Sequence, residues 1–377
     1  MSKIIVREAE TALQMNDFIR FPWKIYKDDK HWVPPLLFDI KKNLDKKKNP
    51  FFEHATVKFY LAYKDNELAG RIAAIKNDKH NEFHNDKAGF FGFFECINNQ
   101  EVANALFDEA KNFLKSLGLD EIRGPINLST NDEVGLLVEG FDSDPYLMMT
   151  YNPRYYIDLI EGYGYKKIKD VYAFLIREDI AKNKKVMDKL TRVSNIVLKK
   201  ENIRIRDINV KDFNNELQRV REVYNKAWEN NWGFVPMTDK EFDYIAESFK
   251  MILDKNLVYF AETSDGKPVG FSLALPNMNE VFKSLNGRVF PFGIFKILFG
   301  KKNVHSIRLL TMGIIKDYHQ RGIEAVFIKH TIERSLANGY IAAEISWILE
   351  DNMPMVQTAI NLDADKYKTY RIYNINI

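Results

Sequence analysis

Residues Arg308 to Ala325 read Arg-Leu-Leu-Thr-Met-Gly-Ile-Ile-Lys-Asp-Tyr-His-Gln-Arg-Gly-Ile-Glu-Ala, and their types and order suit the binding of an anion. An apolar run of strand type, Leu309 to Ile315, breaks at a polar turn, Lys316 to Gln320. From about Gly322 the pattern is helical, with Ile323, Val326, Phe327 and Thr331 on one face. The first N–H groups of a helix lack intrahelical acceptors, and the helix dipole adds partial positive charge there. Arg321 makes the turn basic, and Gly322 lets a phosphate approach the backbone closely. The plainer alternative is an ordinary strand-to-helix connection in which Gly322 only satisfies a turn.

Such a turn works only if a sheet holds its strand and helix in place. After it come a second strand-like run, Ala342 to Leu349, a short helix, Asn352 to Asp363, and a closing strand, Tyr367 to Ile377. The first half offers the same series. Val57 to Tyr63 and Leu68 to Ile75 read as a hairpin around Lys64-Asp65-Asn66-Glu67. Lys76 to Lys87 reads as a polar loop, Gly89 to Ile97 as a Phe-rich strand carrying Glu95, and Glu101 to Leu117 as an amphipathic helix stopped at Gly118. Glu121 to Ile126 is a strand, Asn127 to Asp144 a polar loop, Asn152 to Tyr163 a short helix and Lys169 to Ile176 a strand. Anchors recur at a nearly fixed offset: Trp32-Val33-Pro34 answers Trp232, Val235 and Pro236, Asp65 to Gly70 answers Asp265 to Gly270, and Asn152-Pro153 answers Asn352 and Pro354. A duplication follows, with expected domains at 1–180 and 201–377 and a Lys-rich helical junction near 180–200.

This order resembles the GNAT superfamily of acyl-CoA-dependent N-acyltransferases, in particular bacterial proteins with two such domains in tandem. The fold it implies is mixed α+β: a mostly antiparallel sheet flanked by helices, with the strand before the pyrophosphate loop splayed from the next strand. The family's loop reads Arg or Gln, two residues, Gly, one residue, then Gly or Ala. Aligned on Gly322, His319 and Glu324 depart from that pattern, and a carboxylate at Glu324 competes with pyrophosphate for the same N–H groups. Asn352 matches an asparagine that the family often carries, but no tyrosine stands near Ile360 and Asn361, where many members keep one. The first half resembles the family too. Between Glu95 and Glu101 it has no glycine or basic residue, so it reads as the degenerate copy.

The resemblance implies acetyl-CoA or another acyl-CoA as cofactor, bound by Gly313, Ile314, Ile315, His319, Gln320, Arg321, Gly322, Ile323, Glu324, Ala325 and Asn352. Glu344 and Glu350, on the second strand of the splayed pair, are the candidate bases for the amine proton. Backbone N–H groups of Gly313 to Ile315 are candidates for polarising the thioester carbonyl. The implied activity is acetyl transfer to an amine of a small molecule or peptide. The alternative is a tandem fold that has lost catalysis and binds a metabolite or partner. Arg321-Gly322 and Asn352 favour the enzyme; Glu324 and the missing tyrosine favour the binding protein.

Composition is consistent with this. With 55 basic and 52 acidic residues the chain of 377 carries +3, which argues against nucleic acid as the main partner. One cysteine, Cys96, permits no intrachain disulfide and fits a reducing, cytoplasmic setting. His80 and His84 have the spacing of a helical metal pair, but no third ligand follows, so no metal is expected. The apolar stretch 289–300 is too short to span a bilayer. It reads as a buried or homodimer-facing insertion, with an interfacial helix as the alternative suggested by Arg288, Lys301 and Lys302.

Overall fold

The computed structural model describes residues 3–291 and 293–377. Its first half runs β1 (Ile4–Glu8), α1 (Ala12–Arg20), β2 (Ala55–Lys64), β3 (Glu67–Asn77), α2 (Asp78–His84), β4 (Ala88–Cys96), α3 (Gln100–Ser116) and β5 (Glu121–Gly124). Three short strands follow, β6 (Ile126–Asn127), β7 (Glu133–Val134) and β8 (Leu136–Glu139), then α4 (Tyr156–Tyr163) and β9 (Lys166–Arg177). The second half runs α5 (Lys184–Glu201), β10 (Ile203–Asp207), α6 (Phe213–Trp228), α7 (Asp239–Phe249), β11 (Val258–Thr263) and β12 (Pro268–Pro276). It ends with α8 (Gly293–Gly300), β13 (Ser306–Ile314), α9 (Ile323–Ala337), β14 (Ala342–Leu349), α10 (Met353–Asn361) and β15 (Asp365–Asn376).

The chain forms two compact units, one of residues 1–171, 282–294 and 368–377, the other of residues 172–281 and 295–367. In the first, the strand order is β1-β2-β3-β4-β5-β15, antiparallel except for the parallel pair β4/β5. In the second it is β10-β11-β12-β13-β14 with β9 beyond β14, and β13/β14 is again the parallel pair. The fold is the mixed, mostly antiparallel one expected, built twice. The last strand of the chain completes the sheet of the first unit, where Tyr373 pairs with Gly124 and Ile375 with Ile122.

Local chemistry explains the elements. Asp65 and Asn66 take positive φ (51° and 69°), which closes the tight turn between β2 and β3. In α3, Val102, Leu106, Ala110 and Leu114 recur every four residues and are fully buried against Phe91, Phe94, Tyr156 and Tyr165. Burial of each of the valine and leucine side chains contributes about 1.5–3 kcal/mol. In the second unit Ile323, Val326 and Phe327 of α9 cover Phe260, Val269 and Phe271 in the same way.

Three readings need correction. Lys76 to Lys87 is not all loop: Asn77 caps α2 by accepting from the His80 N–H, and Asn85 ends it in the left-handed region. The loop from Asn127 to Asp144 holds the strands β7 and β8 and part of β6. The helix expected from Asn152 starts only at Tyr156, because the Asn152 side chain bonds the backbone of Leu137 in β8, at 2.7 Å to its N–H and 3.1 Å to its carbonyl. Of the apolar stretch 289–300, Phe292 lies outside the described residues, and Gly293 to Gly300 is helix.

The exchanged strand gives a test of stability. Tyr373 is fully buried, and its hydroxyl donates to Glu161 (3.0 Å). Tyr373→Ala should cost the first unit about 3–5 kcal/mol, as for other large aromatic truncations. Urea unfolding followed by protease cleavage within residues 3–171 would show the earlier opening.

Candidate active site

The pairing of β13 with β14 is parallel and short, from Ser306↔Ala342 to Leu309↔Ile345. Beyond that point β13 runs on to Ile314 bonded only to β12 among its described partners, and β14 runs on to Leu349. Ser306 to Leu309 are buried, whereas Leu310, Thr311, Met312 and Ile314 are half-buried, as expected where a cleft opens. The Ile315 N–H donates to the Val269 carbonyl (2.9 Å). By the alternation of an antiparallel ladder, Gly313 also turns its N–H toward β12 and Ile314 turns its own into the cleft. Of the three amides expected to polarise a carbonyl, the Ile314 N–H is therefore the one with the right direction. Gly313 is required by space: a Cβ there would lie 2.1 Å from the ring of Trp228.

The turn after β13 is closed by His319, whose Nε2 lies 2.7 Å from the Ile314 carbonyl oxygen. Gln320 (φ 58°) and Gly322 (φ 83°) take left-handed conformations, and Gly322 is the N-cap of α9. No side chain caps this helix. The Ala325 N–H reaches back to the Gly322 carbonyl (3.1 Å), while those of Ile323 and Glu324 precede any intrahelical acceptor. The side chain of Ile323 is fully buried, so its part in the site is the backbone alone. Arg321 donates to Glu201 of α5 (2.7 Å) and lies over the Tyr318 ring, a contact that holds the Glu201 carboxyl below its ordinary pKa. Glu324 is the acid of the first turn. Asn352 caps α10, accepting from the Met355 N–H (3.4 Å). The corresponding helix of the first unit, α3, is sealed by its own residue: Asn99 accepts from the Val102 N–H at 3.0 Å.

At the root of the cleft sits a buried polar cluster. Arg308 and Glu344 face each other across the last rungs of the parallel ladder, 2% and 0% exposed, with Arg308 Nε 3.7 Å from Glu344 Oε1. Ser346 accepts from Arg308 Nε (2.9 Å) and donates to Glu344 Oε1 (2.7 Å). The half-buried Tyr367 donates its hydroxyl to Glu344 Oε2. Trp347 covers the guanidinium, 5.1 Å from the ring centre. Glu350, the other expected base, is half-buried in the turn after β14. Sequence reading missed Arg308 and Ser346; the signal was an arginine in a largely apolar strand, and a serine two residues after Glu344, on the same face of the next strand. Between the paired rungs of β13/β14 and α9 lies a small apolar hollow of about 30 Å³, lined by Leu309, Ile345, Ile328, Ile332 and Ala343 among others.

No protein-family model matches the chain. It is 36% identical over 97% of its length to Protein YghO of Escherichia coli, covering 95% of that protein. It is 36% identical, with the same coverages, to the bacterial ceramide synthase of Caulobacter vibrioides. The chain belongs to their family. Its fold is that of the tandem GNAT proteins: a tandem GNAT protein from the clavulanic acid biosynthesis pathway superposes over 100% of this chain and 98% of its own (TM-score 0.57, 10% identity). A GCN5-related N-acetyltransferase from Sphaerobacter thermophilus does so over 99% and 95% (TM-score 0.54, 11% identity).

The first GNAT unit has its own buried acid. Glu95 of β4 accepts from Tyr26 (2.9 Å) and Tyr156 (2.8 Å) and lies 3.5 Å from Arg71. Burial raises its pKa, partly offset by Arg71 and the two hydroxyls. The histidine pair serves structure. His80 is buried, Arg123 Nη1 lies 3.2 Å from its Nε2, and among the described residues no group of three or more ligands could hold a metal ion.

Burial lowers the His80 pKa to about 4, with Asp86 opposing the shift and His84 and Arg123 adding to it. The unfolded chain takes up a proton below about pH 6.5 while the folded one resists until about pH 4. This contribution is therefore intact above pH 6.5 and lost as pH falls toward 4, by up to roughly 3 kcal/mol. The loss of unfolding free energy between pH 7 and 4.5 should be smaller in His80→Gln by about that amount, measured by urea titration.

Proposed function

We propose that this protein is an acyl-CoA-dependent N-acyltransferase that joins a long acyl chain to the amino group of a long-chain amino alcohol, forming a ceramide-type amide. The observation that carries the reading is identity along nearly the whole chain to a protein named as a ceramide synthase. That relative's name also favours a long chain over the acetyl group expected from sequence, and a lipid amine over a peptide.

The residues of the second unit fit an acyl-CoA. The backbone of Gln320 to Ala325, at an uncapped helix end with a left-handed glycine, would hold the pyrophosphate, as helix N-termini hold anions. In the first unit, Asn99 already occupies that role. The acyl-CoA supplies the activated acyl group. Tyr367 would take the proton from the attacking amine as its own passes to Glu344, and the same pair would return that proton as the C–S bond breaks and CoA leaves as the thiol, so that Tyr367 meets the substrate and Glu344 acts through it. Arg308 and Ser346 orient the Glu344 carboxylate. The Ile314 N–H, facing the cleft, stabilises the developing oxyanion.

Glu324 limits this site. Its charge gains roughly 0.3–1 kcal/mol from the helix end and repels phosphates. Glu324→Gly should tighten CoA about tenfold, or roughly 1.4 kcal/mol, by calorimetry at fixed salt. Arg321 is held by Glu201, which favours the second reading, a tandem fold that binds without catalysis.

Purified protein with a long-chain acyl-CoA and a sphingoid base should yield the N-acyl product by mass spectrometry, at a higher rate than with acetyl-CoA. Tyr367→Phe should lower kcat at least about a hundredfold with little change in CoA affinity. Product formation unaffected by Tyr367→Phe would remove the relay but not the reaction. CoA binding without any amide product from either donor would favour the binding protein.

A further inference from the structure

The helix α8 is turned inside out relative to a core helix. Ile297 is buried and Gly300 packs on Val281, where an added Cβ would lie 3.0 Å from both methyl carbons. The opposite face presents Phe295, Leu298 and Phe299, which are 56%, 58% and 68% exposed. Their spacing of three and four residues sets them on one stripe. Phe290, shortly before the helix, is 76% exposed. Of the two parts of the expectation, a buried or homodimer-facing stretch, burial is thus wrong for Phe290, Phe295, Leu298 and Phe299.

Along the chain, the charges flanking the stripe have one sign. No acidic residue occurs between Glu280 and Asp317, whereas Arg288, Lys296, Lys301 and Lys302 all fall there. Glu280 itself accepts from the backbone N–H groups of His305 (2.9 Å) and Ser306 (3.0 Å). Lys301 is turned inward to the Leu253 carbonyl (2.8 Å) and anchors the helix. Lys296 and Lys302 are exposed. Among the described residues no helix is long and apolar enough to cross a membrane.

We propose that the outward face of α8 docks the protein onto an anionic lipid surface, with Phe295, Leu298 and Phe299 inserted among the acyl chains and Lys296 and Lys302 at the headgroups. An apolar stripe without acids, edged by lysines, matches the chemistry of an anionic bilayer surface. A second copy of the chain would bring the same positive charges against each other. The inference does not rest on the acyl-transfer reading, since docking requires no substrate.

The test is flotation of the full chain with vesicles of phosphatidylcholine alone and of phosphatidylcholine mixed with phosphatidylglycerol, in the absence of acyl-CoA and amine. Binding to the anionic vesicles should exceed binding to the neutral ones at least tenfold and weaken with added salt. The combined variant Phe295→Ser, Leu298→Ser, Phe299→Ser should keep its melting temperature and lose at least tenfold in binding. Lys296→Glu with Lys302→Glu should remove the preference for anionic lipid. Three results overturn the proposal: no binding to either vesicle, equal binding by the serine variant, or a dimer in solution that the serine variant dissolves while neither protein floats.

Discussion

Where β13 and β14 stop pairing, an arginine and a glutamate meet out of reach of water. Taking two charges from water costs several kcal/mol each, and their attraction repays that only when every remaining donor and acceptor is met. Here Ser346 bridges the two, Tyr367 takes the second carboxylate oxygen and Trp347 covers the guanidinium. The arrangement fixes two strands at one end and leaves them apart at the other. The cleft, its direction and the tyrosine at its root all follow from that junction. An uncharged replacement would relieve the desolvation cost, but it would give up the hydrogen bond that orients Tyr367.

The two units show what a duplicated fold does with the same helix end. One is closed by Asn99, so the N–H groups of α3 are already satisfied. The other begins at a left-handed glycine with no cap. A helix end left without a partner is a standing cost to stability, and the usual reason for keeping one is a ligand that supplies the missing acceptors. In the first unit the acid of the central strand is likewise enclosed, by Tyr26, Tyr156 and Arg71, which suits a scaffold more than a reacting group.

Much of this could be read in the sequence, and the reasons for the rest are physical. Period and turn chemistry revealed α3, the hairpin at Asp65-Asn66 and the strand–turn–helix around Gly322, since each depends on neighbours within a few residues. The likeness of those elements to the GNAT order then gave the fold. What stayed hidden depends on distant partners. Arg321 looked like a phosphate ligand because nothing nearby in the chain announces Glu201 as its acceptor. Arg308 and Ser346 looked like ordinary strand residues until a parallel ladder placed them beside Glu344. Helix α2 was missed because its polar sequence carries no apolar period and its existence rests on the caps Asn77 and Asn85.

The route of the last strand sets a timetable for synthesis. The segment of residues 3–171 leaves the ribosome long before β15 is made, yet it is β15 that pairs with β5. Until β15 has been made, β5 remains an open sheet edge, a template for wrong pairing. A pairing that joins Ile122 to Ile375 is strongly non-local, and such contacts form late and slowly. The nascent first unit must therefore wait, partly built and vulnerable to aggregation, for residues 368–377 to emerge.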